Sequence, residues 1–457
     1  MENVLAVIFT FIAVIITARF VLKKYNPMFT FFTSGIIILL FLAAWRGYTP
    51  MGDATTGNII FDIFAYVGKV TKSQLSGVGS NLMMVAGYAA FMTHINASDK
   101  LASVLTKPLM KIRNPYLVLG MLYVVGTILK MMITSHAGLC MLLMATAYPI
   151  LVGLGISKIS AAAAILATGA IDWGPNDGAV IFAAEKVAGM TVVDYFISYQ
   201  WIPGITAVIT IAVVMVVYFK KLDKQNNANT PIEITSVEEK GKGVPGIYAI
   251  LPALPLLIVI VFAIFFKELK MDVFTASVIS LVVVFILEMF RKKDGKEVGK
   301  SISVVFNAMG NSFANIVTLI VAAGIFSEGL IQLGGIGILA NLLANLKGAQ
   351  LLSIIALSAL TFFAVIILGS GNASWFAFGP LVSDIASKVG LEPYQISVPM
   401  QLSSGIGRAL SPVAGAVIAV AGLAEIDTDE LIKRNVVPIV CGTLVNIIVS
   451  YLLFVVF

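Results

Sequence analysis

The residues able to do chemistry lie where apolar runs are broken. Residues 351–368 carry no charge, and then Gly369-Ser370-Gly371-Asn372-Ala373-Ser374 interrupts the run before Trp375 resumes it. Three further breaks have the same character: Thr134-Ser135-His136-Ala137-Gly138, Asp172-Trp173-Gly174-Pro175-Asn176-Asp177-Gly178, and Ser403-Ser404-Gly405-Ile406-Gly407-Arg408-Ala409-Leu410-Ser411-Pro412. In lipid, backbone that leaves the helix loses its internal hydrogen bonds, so a break survives only where protein or a polar cavity satisfies it. One reading is a packing bend. The sharper one is a re-entrant hairpin whose tip touches a solute. Half-helix N-termini present free N–H groups and a positive dipole end, which suits an anion. Ser370, Gly371, Asn372 and Ser374 at one tip, with Thr134, Ser135 and His136 at the other, are the candidate binding set, together with Ser404, Arg408 and Ser411. Arg408 fits a carboxylate in bidentate fashion, or else it pairs with backbone carbonyls at its own break. Ser411 also reads as a residue that only shapes the break.

Ionisable residues in and beside the breaks are concentrated in the first half. Lys130 lies one turn before the first tip, and Asp172, Asn176 and Asp177 fall in the second break. Ionisable groups inside a membrane are expensive and point to function or to pairing. Three readings stand: Lys130 pairs with Asp172 or Asp177; an aspartate binds Na⁺ or exchanges a proton; or an aspartate meets the ammonium group of a zwitterionic solute. His136 either titrates near neutrality or sits as a hydrogen-bonded core residue.

The elements that must position these residues follow from composition. The chain has 457 residues, 59% hydrophobic and 12% charged, with mean hydropathy +0.98, whereas a soluble domain is about one quarter charged. Many apolar runs reach about 18 residues, enough to cross a bilayer. An all-α polytopic membrane protein is predicted. Residues 3–22 lack a basic leader and a small-residue cleavage site, so they read as a retained helix. Cys140 and Cys441 lie in apolar segments and imply no disulfide or metal; no cofactor is expected beyond Na⁺ or H⁺ as a coupling ion. The net charge of +6 is spread over loops and gives no nucleic-acid signal.

Residues 1–219 and 246–457 repeat one order, joined by a polar linker at 220–245. Each half reads as two spans, an interfacial stretch (53–76 in the first), a span, a broken hairpin, a broken span and a final span. Ser135 to Pro175 covers 40 positions, as does Asn372 to Pro412. With the N-terminus outside and both hairpins re-entrant, Lys23, Lys24, Lys100, Lys107, Lys111, Arg113, Lys158, Lys220, Lys221, Lys224, Arg291, Lys292, Lys293, Lys296, Lys300, Lys433 and Arg434 face the cytoplasm. Outside remain Arg46, Lys69, Lys72, Lys186, Lys267, Lys270, Lys347 and Lys388. The bias obeys the positive-inside rule and makes the halves inverted repeats, a secondary-transporter plan with its site at the midplane.

Ala90-Phe91-Met92-Thr93-His94-Ile95, Leu142-Leu143-Met144-Ala145-Thr146, Gly369-Ser370-Gly371-Asn372-Ala373 and Gly407-Arg408-Ala409-Leu410-Ser411-Pro412-Val413-Ala414-Gly415, with Ala419-Val420-Ala421-Gly422, resemble the DcuC-type anaerobic C4-dicarboxylate carriers of the ion transporter superfamily. The resemblance runs through most of the chain. It implies a multi-pass carrier of succinate, fumarate or malate in the bacterial inner membrane. The superfamily implies a homodimer with a fixed scaffold and a moving transport domain, an elevator. His136 departs from the small residue the family leads one to expect, and Asp172, Asn176 and Asp177 replace a less charged stretch. Lys130 is then read as a fixed positive charge where a relative binds a cation.

Other classes fit poorly. There is no HExxH or GxSxG, and Gly299-Lys300-Ser301 lacks the upstream glycine of a phosphate loop, so neither an enzyme nor an ATP-driven pump is expected. A channel remains the structural alternative, and an amino-acid carrier of the same fold, with Asp172 and Asp177 reading an ammonium group, the alternative within transporters.

Overall fold

The computed structural model describes the chain except residues 1, 24, 107, 109–111, 113, 226–242, 267, 270, 345 and 347. Lys24, Lys107, Lys111, Arg113, Lys267, Lys270 and Lys347 of the orientation argument, and most of the 220–245 linker, therefore lie outside the described residues. Among those described, every regular element is helical. The first half contains α1 (Glu2–Leu22), α2 (Pro27–Arg46), α3 (Ile59–Gln74), α4 (Ser80–His94), α5 (Ala97–Thr106), α6 (Pro115–Lys130), α7 (His136–Thr146), α8 (Tyr148–Gly153), α9 (Lys158–Thr168), α10 (Gly178–Phe182), α11 (Val192–Tyr195) and α12 (Trp201–Gln225). The second contains α13 (Leu254–Phe265), α14 (Val273–Lys292), α15 (Gly295–Lys300), α16 (Ile302–Ser312), α17 (Thr318–Leu333), α18 (Gly335–Ala344), α19 (Ala349–Leu368), α20 (Gly371–Phe378), α21 (Val382–Val389), α22 (Pro393–Ile406), α23 (Gly415–Ala424) and α24 (Thr428–Tyr451). Among the described residues, ten helical stretches are long and apolar enough to cross a membrane, as a polytopic membrane protein requires.

Boundaries follow local chemistry. Asn26 caps α2 through its side chain, with Met28 N at 2.9 Å and Pro27 in the first turn, a position where the missing N–H costs nothing. Asn114 and Pro115 open α6 in the same way. The stretch expected to lie along the interface does not stand apart: α3 runs into α4 through a kink at Gly77 (φ −102°, ψ −118°), forming one stretch over Ile59–His94. Likewise α15, α16 and α17 form one stretch over Gly295–Leu333, starting well before the span expected from residue 314. The first of these kinks falls at the Ser76-Gly77 pair, a common place for a helix to bend.

The helices pack as two groups, each drawing on both halves. In one, α2 lies on α17, and α4 on α14 and α16. In the other, α12 packs on α24, α6 on α9, and α19 on α22. Small residues set the approach, as in membrane bundles generally. A Cβ on Gly35 of α2 would lie 2.7 Å from the Phe326 nitrogen of α17, and one on Gly442 of α24 would lie 2.4 Å from the Ile211 side chain of α12.

Arg434, placed with the cytoplasmic loop charges in the sequence reading, is buried. Its Nη1 meets Asp223 Oδ1 at 2.7 Å. Asp223 also accepts from the hydroxyls of Tyr116 (2.9 Å), Ser157 (2.8 Å) and Ser160 (2.9 Å).

Candidate functional site

Both predicted tips are helix breaks. α6 ends at Lys130, and α7 opens at His136 with Ser135 as its cap, the hydroxyl oxygen accepting from Gly138 N at 3.1 Å. α19 ends at Leu368, Gly369 turns the chain at φ +72°, and Ser370 caps α20 by accepting from Ala373 N at 3.2 Å. The two serines thus perform the same local task, satisfying free N–H groups at a helix start.

The other two breaks complete the set. Between α9 and α10 the backbone is irregular over residues 169–177, with Asp177 capping α10 through Oδ1 to Ala179 N at 2.9 Å. Glutamines hold the unwound peptides: Gln401 Nε2 donates to the Asp172 carbonyl at 2.8 Å, and Gln200 Oε1 accepts from Gly174 N at 3.2 Å. Gln200 and Gln401 also bond each other at 2.8 Å, and Trp173 Nε1 donates to the Thr127 carbonyl at 3.0 Å. The fourth break, between α22 and α23, carries Arg408.

These breaks bring four charges into one chain of contacts. Arg408 Nη2 is ion-paired with Asp172 Oδ2. Asp172 Oδ1 meets Lys130 Nζ at 3.2 Å, and Lys130 Nζ meets Asp177 Oδ2 at 2.6 Å. Lys130 therefore contacts both aspartates, and Arg408 pairs with a carboxylate, not with backbone carbonyls. Two cations and two carboxylates leave the cluster formally neutral. The Lys130, Asp172 and Asp177 side chains are all but fully buried, where an unpaired charge would cost several kcal/mol.

Asp172, Asp177 and Arg408 of this cluster, but not Lys130, line a cavity of about 990 Å³. Thr134, Ser135, His136, Asp172, Asn176, Asp177, Asn372 and Arg408 line it. The opposite wall belongs to the other helix group and includes Thr93 of α4 and Asn311 and Ser312 of α16. Ser370, Gly371, Ser374, Ser404 and Ser411 are not among the lining residues. Ser374 donates to the Thr361 carbonyl at 2.9 Å, Ser404 to that of Gln401 at 2.7 Å, and Ser411 to that of Ile366 at 2.7 Å. Their hydroxyls are committed to backbone, which corrects the expectation that they face a solute. Gly371 serves by its size: a Cβ there would lie 2.8 Å from Arg408 Nη2 and 2.8 Å from the Ser404 carbonyl.

Several buried polar atoms around the cavity have no partner among the described residues: Arg408 Nε, His136 Nδ1, Asn176 Oδ1 and Ser312 Oγ. Orphaned buried polar atoms are rare, and each calls for an explanation such as strain, a functional role, a water or an ion. Gln200, Gln401, Asn311 and Ser312 were missed by the sequence reading. Their signal was polar side chains within apolar helices, which membranes tolerate only with partners.

The family model of the C4-dicarboxylate anaerobic carriers, DcuC, matches residues 5–455. The chain belongs to the DcuC family. Members of this family are transporters, not enzymes. The Escherichia coli (strain K12) anaerobic C4-dicarboxylate transporter DcuC is 33% identical over 97% of this chain and 95% of its own. A probable anaerobic C4-dicarboxylate transporter DcuC of Vibrio cholerae serotype O1 is 34% identical over 94% of each. Among solved structures, the YdaH transporter of Alcanivorax borkumensis superposes with TM-score 0.60 at 14% identity, over 93% of this chain and 98% of that one. MtrF of Neisseria gonorrhoeae, described with a class of antimetabolite efflux pumps, superposes with TM-score 0.60 at 14% identity over 95% and 96%. At that identity the DcuC chain shares a fold with both and nothing further follows from them.

Proposed function

We propose that the chain is a secondary active transporter of C4-dicarboxylates such as succinate, fumarate and malate, in the bacterial inner membrane. One observation carries this reading. Arg408 lies on the wall of a cavity where helix breaks meet, Lys130 is buried behind that wall, and each cation is balanced by an internal carboxylate. A solute carboxylate competes with Asp172 for Arg408, whose unpartnered Nε offers a second donor. Asp172 keeps Lys130 while the solute is bound, and the charge it no longer shares with Arg408 is the place for a coupling Na⁺ or H⁺. Asn372, Thr134 and Ser135 supply the remaining polar contacts at the tips.

The same pairing disfavours a zwitterionic solute. Both aspartates are already bound to cations, so an ammonium group meets a free carboxylate only after Arg408 or Lys130 gives one up. The two hairpins and two broken spans, in matching order, support inverted repeats covering residues 1–219 and 246–457, with re-entrant hairpins. The cavity lies between two helix groups, which supports an elevator in which the group containing α6–α12 and α19–α24 moves against a scaffold that dimerises. A channel would need no such paired solute site.

The test is uptake of labelled succinate into proteoliposomes, with and without internal unlabelled succinate, and with Na⁺ and pH gradients imposed separately. Saturable uptake accelerated by internal succinate or by one gradient is expected, and the effective gradient names the coupling ion. Electrodiffusive, non-saturating flux would refute a carrier.

A further inference from the structure

His136 opens α7 at the first tip and stands where a small residue would suffice to make the turn. Its Nε2 lies 2.9 Å from the Leu166 carbonyl oxygen. A carbonyl oxygen only accepts, so Nε2 carries the proton and Nδ1 of the neutral ring presents a lone pair. The ring is held in this orientation by Gly169: a Cβ there would lie 2.1 Å from His136 Cδ2 and 3.0 Å from both Cγ and Nε2. Nδ1 is on the ring edge turned away from Gly169, in a residue that is 7% exposed and lines the cavity, and it has no partner among the described residues. Asn176, 5% exposed on the same cavity wall, leaves its Oδ1 acceptor equally unpartnered.

The wall therefore offers two kinds of group. Arg408 calls for a carboxylate, whereas His136 Nδ1 and Asn176 Oδ1, closed off just beneath the cavity surface, are acceptors that a carboxylate can only repel. An unsubstituted dicarboxylate leaves both acceptors without a donor. A hydroxyl on the carbon next to a carboxylate supplies one and adds no charge. An ammonium group would also donate, but it would sit beside two cations already engaged in the cluster.

We propose that His136, supported by Asn176, is a specificity-determining residue that selects a 2-hydroxy four-carbon diacid over the unsubstituted one. This inference rests on the dicarboxylate reading above. Leaving a buried acceptor unpaired is costly enough to set a preference of about tenfold or more.

The experiment uses the full chain in proteoliposomes. Uptake of labelled succinate and labelled malate is measured, each in competition with unlabelled malate, succinate, fumarate and aspartate. Malate is expected to compete at a concentration about tenfold lower than succinate. His136→Leu should bring that ratio close to one, and His136→Gln, which keeps an acceptor, should retain part of it. Thermal melting in detergent reports whether each variant folds. If His136→Leu does not, the native ratio and His136→Gln decide the matter. Equal competition by malate and succinate, a ratio unchanged in a folded His136→Leu, or aspartate outcompeting malate would each overturn the inference. Succinate uptake that depends on Arg408 with no malate preference sinks this inference alone. Succinate uptake indifferent to Arg408→Ala sinks the dicarboxylate site with it.

Discussion

Two buried ionic clusters invite comparison. Around Asp223, one arginine, two serine hydroxyls and a tyrosine hydroxyl satisfy a single carboxylate, and none of these residues lines the cavity. Around Asp172, one cation, Arg408, and two carboxylates line the cavity with Lys130 buried behind them, and Arg408 Nε, His136 Nδ1 and Asn176 Oδ1 stay unpartnered among the described residues. Both clusters join elements far apart in sequence, so buried charge alone does not separate scaffold from site. The difference lies in unmet hydrogen-bonding capacity within side chains that line a cavity.

The comparison breaks most visibly at Asp223. Replacing it with alanine strands Arg434 in a buried position, and a loss of about 3–5 kcal/mol is expected, seen as a large drop in melting temperature. The folded fraction should keep its succinate affinity; an affinity loss without a stability loss would make the Asp223 cluster part of the site. A smaller effect is expected of Gly371→Ala. The added methyl meets Arg408 and the Ser404 carbonyl, so succinate transport should fall about tenfold through displaced Arg408, with about 1–3 kcal/mol of stability lost to overpacking. Smallest is Ser374→Ala, which removes one hydroxyl-to-carbonyl bond within the α19–α20 hairpin and should cost about 1 kcal/mol of stability while the KM for succinate stays put. A KM shifted by tenfold would return Ser374 to the solute site.

Much of this was legible in sequence because a break in an apolar run has a composition of its own. Gly369-Ser370-Gly371 and Asp172 to Gly178 stand out against their flanks, and the four breaks fall where they were expected. Partner choice was not legible. Asp172 and Arg408 are 236 positions apart, and Lys130 touches two aspartates where the sequence offered a choice of one. Nor do residue types separate Asn372, which lines the cavity, from Ser374 two positions on, which donates to backbone. Near a break, two residues, about half a helical turn, decide between solute and backbone.

The central claim is that Arg408 exchanges an internal carboxylate for one from the solute. It is tested most directly by titrating succinate into purified native protein, Arg408→Ala and Asp172→Asn, and following the melting temperature. The native protein should be stabilised saturably. Arg408→Ala should lose that response, and Asp172→Asn, whose arginine has lost its competitor, should saturate at lower succinate. Undiminished stabilisation of a folded Arg408→Ala by succinate would contradict the account.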